Sequence, residues 1–177
     1  MANTTWKIDS SHSEILFKVK HLMITTVTGH FKTFDAVAET TGDDFSDAKN
    51  IKFTADVDSI ETNNEQRNGH LKSAEFFNGQ EFPQIKFAAT EFKIQGEEGK
   101  LNGELTMRGV TKPITLKVEF GGTVTDPYGQ TKAGFTLEGK VNRKEFGLTW
   151  NAVTEAGSVV VSEEVKIHAE IQLIKQA

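Results

Sequence analysis

Near the end of the chain, apolar Val165, Ile167, Ala169, Ile171 and Leu173 alternate with polar Lys166, His168, Glu170 and Gln172. Side chains of a β-strand point alternately to opposite faces, so this period of two reads as a half-buried antiparallel strand. The same pattern recurs at Ile15, Phe17, Val19 and His21, at Ile51, Phe53, Ala55 and Val57, and at Ile85, Phe87 and Ala89. It returns at Leu101, Gly103, Leu105 and Met107, then at Ile114, Leu116, Val118 and Phe120, and again at Phe135, Leu137, Gly139 and Val141. Such a chain has one apolar face almost everywhere, and that face has to be covered.

Turn chemistry separates the runs: Thr41-Gly-Asp-Asp44, Gly96-Glu-Glu-Gly99, Gly121-Gly122, Asp126-Pro-Tyr-Gly129 and Ala156-Gly-Ser158. Glu91 continues the parity of Ile85, Phe87 and Ala89, but Phe92 and Ile94 then require a bulge that turns Glu91 outward. One stretch breaks the rhythm. Thr62-Asn-Asn-Glu65 fits a capping box, and Arg67, His70, Leu71 and Ala74 follow at helical spacing, which predicts one helix from about Asn63 to about Phe76. Gly69 in its middle disfavours helix by about 1 kcal/mol relative to Ala, so packing has to hold it.

Antiparallel strands with one apolar face either stack as two sheets or close on themselves, and closure removes exposed edges. About eight strands and one inserted helix favour an all-β, lipocalin-like antiparallel barrel over a sandwich. The chain has 177 residues, no repeat and no linker, so residues 1–177 read as a single domain.

A net charge of −5 gives no basic footprint for nucleic acid, and the absence of Cys excludes disulfides, thiol nucleophiles and thiolate metal sites. No apolar run approaches the length of a membrane span, and the N-terminus has neither a basic segment nor an apolar core of a signal peptide. As written, the chain reads as cytoplasmic, or periplasmic if a signal peptide was removed ahead of Met1.

Candidates for chemistry are few. His12, His21 and His30 recur every nine residues, which puts neighbours on opposite strand faces, and there is no HExxH pair, so no metal site is expected. No GxSxG elbow, triad spacing or phosphate loop is present. Arg108-Gly-Val-Thr-Lys-Pro113 and Asn142-Arg-Lys-Glu-Phe-Gly147 read as turns with exposed basic residues.

The inferred interior remains. By parity its wall includes Phe17, Val19, Phe53, Ala55, Phe87, Leu105, Leu116, Leu137, Gly139 and Ile167, with His21 as the polar member and Leu71 above it on the helix. Small residues on that face, Gly103, Gly139, Ala55, Ala89 and Ala169, leave volume for a long apolar small molecule, although small-large alternation also fills solid barrels. Arg67 and His70, one turn apart, are placed to meet a polar head group at the mouth. Two other readings stay open: an enzyme acting on an apolar substrate with His21 or His70 as acid or base, and a solid-core stress or interaction module.

Four stretches are similar to the YceI family, also called the polyisoprenoid-binding family. They are Trp6-x-Ile8-Asp9-x-x-His12-Ser13-x-Ile15-x-Phe17-x-Val19-x-His21 running on to Gly29-x-Phe31, and Thr62-x-Asn64-x-x-Arg67-x-x-His70-Leu71-Lys72-Ser73 followed by Phe82-Pro83-x-Ile85-x-Phe87. The others are Gly103-x-Leu105-Thr106-x-Arg108-Gly109-Val110-Thr111-Lys112-Pro113 and Arg143-x-x-Phe146-Gly147-Leu148-x-Trp150. The resemblance implies a lipocalin-like barrel that holds an isoprenoid, quinone-like or fatty-acid-like tail lengthwise, frequently as a homodimer. It implies no required cofactor and no established catalysis. This chain carries Asn68 where the family usually has Asp, which removes any charge pairing assigned to that carboxylate.

Overall fold

A computed structural model describes residues 3–150 and 161–176. The strands are β1 (Asn3–Ile8), β2 (Glu14–His21), β3 (Thr25–Phe31), β4 (Phe34–Thr41), β5 (Asp44–Asp56) and β6 (Ile60–Glu61). After the helix α1 (Glu65–Lys72) come β7 (Gln84–Gln95), β8 (Glu98–Met107), β9 (Val110–Thr125), β10 (Thr131–Asn142) and β11 (Glu164–Lys175). All belong to one antiparallel sheet. Hydrogen bonding runs β1, β4, β5, β7, β8, β9, β10, β11 and back to β1, which closes an eight-stranded barrel.

β11 carries the seam. Its C-terminal end pairs with β1, Ile8 opposite Leu173 and Trp6 opposite Lys175, while Lys166 to Glu170 pair with β2. Between them the chain turns at Ser10–His12, capped by the Asp9 carboxylate accepting from the Ser11 N–H. The wall therefore branches: toward one end it closes through β1 and β4, and toward the other it continues through β2, β3 and β6, beside which α1 packs.

The closed end is filled with rings. Trp6 is fully buried and donates its indole N–H to Thr40 Oγ1 at 2.8 Å. Its ring lies 4.7 Å from Phe45, which lies 5.0 Å from Phe135, and Phe135 stacks on Phe120 at 5.1 Å. These four aromatics form the floor of the barrel.

The expected bulge at Glu91 is present: register shifts between Ala89 and Glu91, and Glu91 is exposed. Gly121-Gly122, in contrast, is not a hairpin turn. Both residues lie inside β9 at a second bulge, where Gly122 faces Gly134 while Phe120 faces Phe135, leaving Gly121 as the extra residue. Ala156 to Ser158 fall outside the described residues.

The helix is shorter than its sequence spacing predicts. Asn64 is the cap, its side-chain Oδ1 accepting the Arg67 N–H at 3.0 Å, because Asn63 adopts a left-handed φ of 64° that ends the approach one residue before the cap. At the other end the Ser73 N–H closes on His70 O at 3.1 Å, and residues 73–82 continue as turns.

Candidate ligand-binding cavity

Side chains from the inner face of the sheet surround a cavity of about 600 Å³ that rises from the aromatic floor to α1. Phe45 and Phe135 border it below, and Arg67, His70 and Trp150 border it above. On β10 the wall runs from Phe135 to Val141, about 20 Å at strand rise, so the hollow runs lengthwise along the strands. Eight-stranded barrels are near the size at which an interior can hold one small ligand. Here the interior is hollow.

Phe17, Val19, His21, Phe53, Ala55, Leu71, Phe87, Leu105, Leu116, Leu137 and Ile167 all border the cavity, as do Arg67 and His70. Gly139 does not. A Cβ there would stand 2.4 Å from Leu116 Cδ2, so the neighbouring leucine already covers the space that glycine was expected to leave open. Gly103 is likewise covered, by the ring of Phe87 at 2.4 Å. Of the other small inward residues, Ala55 and Ala169 do border the cavity, together with half-buried Val19, Phe53 and Leu137.

At the mouth, Thr62 organises the polar groups. Its N–H and hydroxyl both donate to Asn68 Oδ1, at 2.9 and 2.6 Å, and Asn68 Nδ2 donates to Glu61 Oε2 at 2.8 Å. Arg67 turns back on the same residue, Nε donating to Thr62 Oγ1 at 2.9 Å and Nη2 to the Thr62 carbonyl. The Thr62 hydroxyl is therefore absent from the expected capping box because it is already engaged twice. The Asn68 amide, followed by the Asn63 N–H and Lys32, lowers the Glu61 carboxyl to about 2.

His70 sits between two rings, 5.0 Å from Phe76 and 4.7 Å from Trp150, and its Nε2 meets Glu75 Oε2 at 2.8 Å. His21, at the end of β2, is exposed on the rim. Among the described residues no group of three or more His, Asp or Glu side chains is placed to hold a metal ion.

The turn chemistry around Arg143 predicts an exposed side chain, but Arg143 is only 3% exposed. Its guanidinium donates to four carbonyls: Ser162 from Nε at 2.8 Å, Leu148 and Trp150 from Nη1 at 2.7 and 2.8 Å, and Val161 from Nη2 at 3.2 Å. Its charge centre also lies 6.0 Å from the Phe76 ring. Burial pushes this guanidinium below its usual range, with Glu163 opposing the shift. The sequence held a signal for this placement, because Arg143 continues the inward parity of Phe135, Leu137, Gly139 and Val141. Arg108 is half-buried and joins the helix end to the same region through Ala74 O at 2.8 Å and Gly147 O.

A family model described as a YceI-like domain matches residues 6–173. The chain belongs to the YceI-like family. Protein YceI of Salmonella newport (strain SL254) is 36% identical over 173 residues, covering 97% of this chain and 87% of the relative. The Campylobacter jejuni YCEI protein superposes with a TM-score of 0.77 at 31% identity, over 89% of this YceI-like chain and 90% of its own. A polyisoprenoid binding domain from Saccharophagus degradans shares the fold at TM-score 0.69 and 14% identity, over 97% and 98% of the two chains.

Proposed function

We propose that this YceI-like barrel is a non-catalytic carrier that holds one long apolar molecule lengthwise, tail toward the aromatic floor and polar end at Arg67 and His70. The cavity carries the reading: about 600 Å³, lengthwise, and walled mostly by aliphatic and aromatic side chains from floor to rim. Burial of a tail stabilises the complex by about 25 cal/mol per Å² of apolar area, while few polar groups fix its orientation. The shared fold with the polyisoprenoid binding domain of Saccharophagus degradans supports an isoprenoid or similar lipid tail. Affinity then follows tail length, and selectivity for the head is set at the mouth.

Denaturing the purified protein, extracting it with organic solvent and identifying stoichiometric lipid by mass spectrometry tests the reading. A single class of long-chain molecule at about one per barrel is expected. Empty extracts, together with no uptake of a fluorescent long-chain probe by the refolded protein, would sink it.

A further inference from the structure

At the rim, β2 and β3 meet in a turn whose tip is apolar and carries left-handed backbone, on a strand end held by Val161 and Ser162. Leu22 and Met23 have left-handed φ angles of 53° and 60°, the region where Asn or Gly is the usual hairpin choice. Met23 is 55% exposed and Ile24 76%, and the only two other large apolar side chains so exposed among the described residues, Val124 and Tyr128, lie on or beside the β9–β10 hairpin at the floor end. The same hairpin forms the cavity wall through Val19, His21 and Val27.

Behind this tip the outer face carries one basic row, flanked by Glu164 and Glu138. From Ile15 to Thr33 the chain has three lysines and no acidic residue, in a protein of net charge −5. Lys18 on β2 stands directly opposite Lys166 on β11, and Lys166 directly opposite Lys140 on β10, all three exposed. Like charges facing each other across strands destabilise a sheet, so this row opposes the fold it sits on. Lys140 reaches Glu164 at 4.0 Å, while Lys18, Lys20 and Lys166 have no ion-pair partner among the described residues.

We propose that this end of the barrel docks on an anionic lipid bilayer, with Met23 and Ile24 entering the boundary between head groups and acyl chains. Lys20 on β2 is three residues before Met23 and so at most about 10 Å from it, within the depth that apolar side chains of surface-bound segments reach. That places Lys20 level with lipid phosphates, and the row of Lys18, Lys166 and Lys140 within electrostatic range above them. The cavity mouth then faces the membrane, so an apolar tail passes between bilayer and barrel without crossing water. The use made of the contact rests on the carrier reading. The contact itself does not.

Flotation of the full chain with vesicles of phosphatidylcholine, alone or mixed with phosphatidylglycerol, tests the docking, with uptake of a fluorescent long-chain probe from ethanol measured in parallel. The wild type is expected to float only with the anionic vesicles and to be released by salt. Binding should weaken at least tenfold in Met23→Ser/Ile24→Ser and about fivefold for each of Lys18→Gln and Lys166→Gln, with probe uptake from ethanol unchanged throughout. A wild type that floats with neither vesicle, or a tip variant that floats as well as wild type, overturns the docking even where probe uptake is normal. A tip variant that merely converts a dimer to a monomer also overturns it, by assigning the tip to a second copy of the chain. Normal flotation without probe uptake upholds the docking and removes the carrier reading instead.

Discussion

Asn68 donates its side-chain amide to the Glu61 carboxylate at 2.8 Å while its carbonyl oxygen holds both the N–H and the hydroxyl of Thr62. One buried carboxamide thereby connects β6 to α1 and, through Thr62, fixes Arg67 at the cavity mouth. An aspartate in this place keeps the acceptor and loses the donor, setting two carboxylates face to face. Asn68→Asp is therefore expected to lower the thermal midpoint at pH 7, and Glu61→Gln in the same chain to restore it. Asn68→Ala, which orphans Thr62, should destabilise by about 2 kcal/mol in urea titrations. Equal midpoints for the Asp variant and wild type would show that the Glu61 contact is not formed in solution.

The same contact has a pH signature. Glu61 titrates near 2 in the folded protein instead of 4.5, and Asp9 is held well below the usual carboxylate range, foremost by the Ser11 hydroxyl and then by His12 and Lys132. A carboxyl depressed on folding stabilises fully above its unfolded value and loses that contribution as pH falls toward its folded value. Stability is expected to be level above about pH 5 and to decline below 4.5. The difference between wild type and Glu61→Gln, read from urea midpoints, should shrink over the interval from 4.5 to 2. A gap that widens on acidification has the wrong sign.

Two glycines should respond oppositely to alanine. Gly69 is an exposed helical residue whose Cβ would meet nothing within 4 Å, so Gly69→Ala should stabilise by about 0.5–1 kcal/mol. A Cβ on Gly103 would stand 2.4 Å from Phe87 Cζ and 2.6 Å from Ala88 O, so Gly103→Ala must displace a ring and a backbone carbonyl and should destabilise by about 1–3 kcal/mol. Chemical denaturation of the pair checks both signs.

Arg143→Lys keeps the charge but cannot span four carbonyls. About 2–4 kcal/mol of stability should be lost, as for a buried polar group whose partners are left unsatisfied. Stability within experimental error of wild type would mean that these carbonyls are satisfied without the guanidinium.

Leu137 is half-buried on the wall, between Val118 and Ala169 on the neighbouring strands. Leu137→Trp should fill the hollow and reduce uptake of a long-chain probe severalfold while shifting the urea midpoint little. The reverse ranking would describe a packed core rather than a binding wall.

Strand parity made the barrel readable from sequence, down to the bulge that turns Glu91 outward, because period-two patterning is a local property that burial of one face enforces. Side chains whose environment comes from distant segments were less readable. Gly121-Gly122 has the composition of a turn, and only pairing with Gly134 and Phe135 shows a bulge. The burial of Arg143 depends on carbonyls at Val161 and Ser162, brought by the approach to β11. Gly139 looked like empty space because parity reports which way a residue points and not which neighbour leans across it, here Leu116.

Among the described residues, the floor of Trp6, Phe45, Phe120 and Phe135 makes one end of the barrel a blind alley. On the carrier reading, a molecule that enters from the α1 end meets these rings and leaves by backing out, so entry and release share one route and a second guest cannot push the first through. A tail that outgrows the alley leaves its excess outside in water, which makes the floor a ruler: affinity should climb with each added carbon until the rings are reached, and then stop.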